Sequence, residues 1–252
     1  MLFQVDASIV AFSFAVSMFA AWAVGNFRGR RLALDPEHDP GTKIVDATVA
    51  LLGLLLAFTF AMTLERHENR RLAVVAQANA IGDFFTCATL LPGPERAELQ
   101  KALRAYAQDE LDAMRDYLPD AERRQVLAES AKAHTAMTET VSRAIEHGTP
   151  IALSLTNTLN NVTSTHASRT ADYEERLPWP VQILLLASAS AAAFLVGRQQ
   201  GLASKKCVAG TISFILLVSL VIFVIKDLSQ PRRGWIKVTY DPMVRLVDSL
   251  KE

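Results

Sequence analysis

The stretch "LLGLLLAFTFAMTLERHENRR", Leu51–Arg71, passes from uninterrupted apolar side chains into dense charge with no turn residue between them. No Gly or Pro falls between Leu54 and Arg71. An apolar run of this kind is long enough to cross a bilayer core at 1.5 Å per residue. The sequence therefore predicts one helix that leaves a membrane and continues into water, unbroken over 47–91. Between Leu54 and Leu91 the one interior breaker is Gly82, and it costs only about 1 kcal/mol against Ala.

Working outward, three more runs share this character. Half of the 252 residues are hydrophobic and the formal charge is zero, but charge and apolar residues are segregated. Nearly uncharged spans are predicted at about 7–27, 45–64, 179–197 and 207–225. A soluble domain would mix the two residue classes at helical period instead. The first run has no basic residue before it, and Arg28, Arg30 and Arg31 follow it. It reads as a retained span and not as a cleaved signal. Its Ala7, Ala11 and Ala15, four residues apart, are small enough to let helices approach closely in lipid.

The chain divides into a transmembrane hairpin at 1–64, an extramembrane helical segment at 65–178, a second hairpin at 179–226 and a tail at 227–252. The middle segment holds 17 acidic and 13 basic residues, a net of −4. Val74, Ala78, Ile81, Phe85 and Ala88 share one face of the helix that leaves the membrane. Pro94 suits the first turn of a following helix. Leu99, Leu103, Tyr106, Met114 and Leu118 mark that helix's apolar face, and Pro119 ends it. A third helix runs to about His147, where Gly148 signals a C-terminus. Thr149 as N-cap and Pro150 at the first position then start a fourth, running to "LPWP" at 177–180. Strand patterns are absent. The prediction is an all-α protein, four transmembrane helices with a helical bundle between spans two and three.

The fourth helix has an apolar stripe, Ile151, Leu155, Leu159 and Val162, which turns polar at His166, Arg169 and Tyr173. His166 and Arg169 are expected to make polar contacts within the bundle or between subunits, with Arg169 alternatively drawing anions toward a pore. A second stripe, Thr156, Asn160, Thr163 and Thr170, is either a polar outer face or a water- or ion-lined interface. Asn79, bordered by Ala78, Ala80 and Gly82, is expected to be buried against neighbouring helices.

Catalytic chemistry has little support. The five histidines are scattered and no HExxH, GxSxG, P-loop or GxGxxG occurs. "ERHE" at 65–68 reads better as a solvated membrane exit than as a metal site. Cys87 and Cys207 form no framework, and a disulfide is not expected. No enzyme activity, cofactor or metal is expected. The acidic middle segment also argues against nucleic acid as a partner.

"LLGLLLAFTFAMTLERHENRR" resembles the second transmembrane helix of bestrophin channels. More closely, the chain resembles the bacterial bestrophin-like membrane proteins classed as a domain of unknown function. The resemblance is carried by "AVVAQANAIGDFFTCATLLPGPERAELQKALRAY" at 73–106, "NNVTSTHASRTADYEERLPWPVQILLL" at 160–186, "DLSQPRRGWIKV" at 227–238 and the order of spans. It implies a homo-oligomer, a pentamer in bestrophins, of four-span subunits around an axial pore for chloride or other small anions. The second helix would line that pore with an apolar neck. Aligning on Arg66 carries the neck to Ala50, Leu54 and Phe58, and Met62 continues the stripe one turn on. Ala50 departs from the bulky pattern, which implies a shorter or wider neck. The acidic calcium clasp of animal bestrophins has no counterpart in the tail. Asp227, Pro231 and Gly234 match the bestrophin-like proteins and not the channels.

Basic residues fall on both sides of the spans, so positive-inside counting gives little bias. The resemblance tips the expectation toward a bacterial inner membrane with the bundle in the cytoplasm. A second function class stays open, a membrane-anchored sensor or scaffold whose bundle binds a ligand or partner protein. Residues 227–252 are few for a signalling output domain, which favours the channel.

Overall fold

The computed structural model describes residues 6–31, 41–115, 120–175, 177–202, 208–230 and 234–251. Leu118, Pro119, Cys207 and Pro231 lie outside them. The described residues form helices α1 (Ala7–Arg31), α2 (Gly41–Thr89), α3 (Pro94–Met114), α4 (Asp120–Glu146), α5 (Ala152–Glu174), α6 (Trp179–Leu202), α7 (Val208–Leu228) and α8 (Asp241–Ser249), with no strand among them. The fold is all-α. Four helices, α1, α2, α6 and α7, are long and apolar enough to cross a membrane. The helix of the opening stretch, α2, is one unbroken helix of 49 residues. Contacts divide the chain into one unit of residues 1–67 and 176–237 and another of residues 68–175 and 238–252. The segment 227–252 is thus shared between the two.

The first unit is built on a close crossing of α1 and α6. Gly25 and Gly29 on α1 meet Gly197 and Gly201 on α6, two G-x-x-x-G pairs. A Cβ on Gly25 would stand 2.1 Å from the Phe194 carbonyl oxygen, and one on Gly197 would stand 2.2 Å from that of Trp22. Backbone therefore rests on backbone. In lipid, where apolar surfaces gain nothing by leaving water, such packing is a main source of helix association. Ser17 and Ser190 hydroxyls are 2.9 Å apart across the two helices. The Trp22 indole N–H donates to Gln200 Oε1 at 3.1 Å, and Gln200 Nε2 donates to Thr211 on α7 at 2.9 Å. These side chains thereby find partners that lipid could not supply.

The second unit packs the later half of α2 with α3, α4, α5 and α8 around one apolar core. Its centre includes Val74, Ile81, Phe84, Leu99, Leu103, Tyr106, Met137, Leu155 and Val162, with Val238, Met243 and Val247 contributed by the C-terminal segment. The α3 face ran as expected through Leu99, Leu103, Tyr106 and Met114, all buried.

The joint between α4 and α5 differs from expectation. α5 begins at Ala152 with Ile151 in the N-cap position, not at Thr149 and Pro150. Thr149 instead serves the helix before it. Its N–H donates to the Ala144 carbonyl at 3.1 Å while the Gly148 N–H donates to Ile145 at 2.9 Å. These two bonds, with Gly148 at φ 76°, make a Schellman C-terminus. Thr149 thus belongs to the C-terminal turn of α4, and its hydroxyl, the atom that would cap α5, meets no N–H among the described residues. Gly148 is in the left-handed region, where a Cβ costs about 1–2 kcal/mol, and no neighbouring atom lies near enough to clash. Gly148→Ala is expected to lower stability by that amount through backbone strain alone, read as a shift in the midpoint of denaturant unfolding.

The far end of α5 also differs. It stops at Glu174, short of 177–180. The buried Arg70 guanidinium explains the stop, donating Nε to the Asp172 carbonyl at 2.9 Å and Nη2 to that of Glu175 at 2.6 Å. A cation satisfying the last carbonyls also suits the negative end of the helix dipole.

Candidate functional site

α2 presents two faces within the first unit. Leu52, Leu56, Thr59 and Thr63 are buried. Ala50, Leu54, Phe58 and Met62, spaced four apart, are exposed, Phe58 at 65%. Thr59 and Thr63 turn their hydroxyls back onto the Leu55 and Thr59 carbonyls, both at 2.7 Å, so the helix stays closed along its buried side. The stripe assigned to a neck therefore lies on a face of α2 that is apolar and exposed among the described residues. Arg66, at the membrane exit, is half-buried.

The second unit holds a buried polar cluster centred on a residue that the sequence reading did not single out. Glu110 on α3 is fully buried and receives one side chain from each of the other long bundle helices, two from α5. Gln77 Nε2 on α2 donates to Oε2 at 3.1 Å. Ser130 on α4 donates its hydroxyl to Oε1 at 2.6 Å. From α5, Arg169 Nη2 donates to Oε2 at 2.5 Å, and His166 Nδ1 lies 3.2 Å from the same oxygen. The Tyr106 ring is tilted against the rings of His134 and His166, with centroids 6.2 and 6.5 Å away. His134 Nε2 is 2.9 Å from the Thr163 hydroxyl.

Electrostatics follows from this packing. Burial alone pushes the Glu110 carboxyl up. The His166 hydrogen bond, the Arg169 charge and the Ser130 hydrogen bond outweigh it, and the pKa is held down at about 2. His134 is pushed down, first by burial and then by the charge of His166. The Glu110 carboxylate thus stays ionised near neutral pH, paired with Arg169. The Glu110 carboxylate thereby links α2, α3, α4 and α5.

His166 and Arg169 thus come together, through Glu110, as polar contacts inside the bundle. Asn79 does not join them and is exposed. It lies off the α2 face formed by Val74, Gln77, Ile81 and Phe84, which takes the core contacts. Asn79 instead lines a groove of about 620 Å³ with Arg71, Asp83, Arg245 and Ser249. Of the hydroxyl stripe on α5, Asn160, Thr163 and Thr170 are exposed, and Thr156, Thr163 and Thr170 bond back to carbonyls four residues earlier.

Asp227 and Gly234 form one local structure at the end of α7. The buried Asp227 carboxylate accepts the Trp235 N–H at 2.8 Å and the Ile236 N–H at 2.9 Å. A Cβ on Gly234 would stand 2.7 Å from the Asp227 carbonyl oxygen, so this return loop needs glycine there.

Residues 11–243 match the family model of the Bestrophin-like domain. No curated protein matches the chain in sequence. Among solved structures, it is similar to a point variant of a bacterial bestrophin homologue from Klebsiella pneumoniae, with 12% identity and a TM-score of 0.57 over 96% of each chain. It is also similar to a point variant of a membrane protein, with 10% identity and a TM-score of 0.55 over 97% of this chain and 96% of that one. At such identities the likeness is one of fold.

Proposed function

Because the chain belongs to the Bestrophin-like domain family and is an integral membrane protein of the bestrophin type, we propose that it forms an oligomeric ion channel whose neck is lined by this exposed face of α2. The observation that carries this reading is the exposed apolar stripe Leu54, Phe58 and Met62 on one unbroken helix. A single stripe cannot enclose a path, so the pore requires a ring of subunits. Rings of apolar side chains gate ions by dewetting and need no charged filter. Ala50, one turn before Leu54, leaves that end of the neck wide.

The resemblance to bestrophins supplies the remaining detail: a pentamer, small anions such as chloride as the permeant species, and a bacterial inner membrane with the bundle on the cytoplasmic side. In this reading the Glu110 cluster keeps the bundle rigid and takes no part in permeation. The test is chloride efflux from vesicles reconstituted with the purified chain, alongside its oligomeric mass in detergent. The channel reading expects a homo-oligomer and efflux well above protein-free vesicles. A stable oligomer with no flux would leave the scaffold reading in its place.

A further inference from the structure

The outer surface of the first unit carries a crevice between α1 and α7. Its volume is about 510 Å³. Ala11 and Ala15 on α1 and Ser219 on α7 lie among its lining residues, with Phe12, Phe19 and Leu216 large and exposed beside them. Small side chains beside large ones make a channel rather than a ridge. The Ser219 hydroxyl is shut from solvent without a hydrogen-bond partner, so the crevice offers an occupant almost no polar contact.

Length and charge identify the occupant. The lining runs from Ser8 to Phe19 on one helix and from Ile212 to Phe223 on the other. Each segment advances eleven residues, about 17 Å at 1.5 Å per residue. That is about half of the roughly 30 Å hydrocarbon core, the depth of one leaflet. Beyond Phe223 the same α7 stripe reaches Lys226, in the last turn of the helix, whose ammonium also donates to Gln182 Oε1 on α6 at 3.4 Å. Trp235 is 88% exposed and packs edge-on to Phe223 at 6.3 Å. An exposed indole and a cation mark the headgroup level of a membrane. An apolar slot one leaflet deep, ending in a cation and an indole N–H, is complementary to a fatty acyl chain below a phosphate.

We infer that the α1–α7 crevice is a binding site for one acyl chain of a membrane phospholipid, with the phosphate at the Lys226 and Trp235 end. The lipid fills space that the two helices leave between them, and it stays with the protein when annular lipid is washed away. The site stands independently of whether the chain conducts ions.

The probe is palmitoyl-oleoyl phosphatidylglycerol added to the delipidated full chain in detergent, with bound lipid counted by native mass spectrometry. Wild type should retain phospholipid on each subunit. Ala15→Phe and Ser219→Leu, which fill the crevice from opposite walls, should each weaken retention at least about tenfold, the equivalent of one decade in Kd. Lys226→Gln should weaken it less, because the chain site is intact. Melting temperature and oligomeric mass are read on the same samples. Retention equal to wild type in both filled variants, at unchanged mass and melting temperature, would overturn the proposal. Loss of the oligomer in both with lipid still bound would overturn it too, since a second copy of the chain would then be what covers the crevice.

Discussion

Replacing Glu110 with alanine is expected to cost about 3–5 kcal/mol, because it strands the Arg169 guanidinium in the core without its counter-charge. Glu110 is fully buried and four side chains converge on it. Arg169→Ala should cost a similar amount by stranding the carboxylate. The paired change Glu110→Leu with Arg169→Leu should cost less than either alone, since no charge is left buried. Denaturant unfolding in detergent measures all three. The pH dependence has a definite sign. The carboxyl is depressed from an ordinary value of about 4.3 to about 2. Its stabilisation is complete above the ordinary value and is lost as the pH falls from there toward about 2. Wild type should lose stability across that window and Glu110→Ala should show a shallower slope. Equal slopes would mean that the pair does not hold the bundle.

The second large effect is expected at the α1–α6 crossing. Gly197→Val should cost about 3 kcal/mol, the upper part of the range for overpacked sites. The reason is geometric: a Cβ there would stand 2.2 Å from the Trp22 carbonyl oxygen, and a backbone atom cannot swing aside as a side-chain tip can. Gly25→Val should behave alike against Phe194. Gly53→Ala is the contrasting case. No atom lies near its Cβ position, and replacing a helical glycine by alanine removes a propensity cost of about 1 kcal/mol. Thermal melts of the three variants separate close packing from general intolerance of substitution. A Gly197→Val protein as stable as wild type would show that the helices do not meet at these glycines.

The architecture was largely legible because the bilayer separates apolar from charged residues over spans of about 20 residues. The α2 helix was legible for the same reason, since Leu54–Arg71 offers no breaker. The α1–α6 contact was missed although its signal was present. Ala7, Ala11 and Ala15 offer one small-residue stripe on α1, but Gly25, Gly29, Gly197 and Gly201 carried the paired spacing. Helix joints were less legible. Thr149 and Pro150 make a plausible N-terminus by residue type, but Thr149 is held in the C-terminal turn of α4 and α5 starts at Ala152.

Of the candidate sites, His166 and Arg169 were found because they occupy apolar register on α5. Their partner was missed, yet Glu110 sits between Tyr106 and Met114 where the apolar stripe of α3 skips a turn. A carboxylate in that register, with an Arg in the apolar register of another helix, is the readable mark of a buried pair. Asn79 failed for the opposite reason. Small neighbours permit close packing, but they do not say which face of a helix takes it.

In the proposed channel the Leu54, Phe58 and Met62 face of α2 encloses the path of ions. The most direct measurement is single-channel current through the purified oligomer in planar bilayers, wild type against Phe58→Ala. A hydrophobic neck resists ions by excluding water, so removing its largest ring should raise conductance or open probability, by about tenfold for a barrier lowered by about 1.4 kcal/mol. Identical currents from the two proteins would place the ion path elsewhere. Silence from both, with the oligomer intact, would contradict the channel itself.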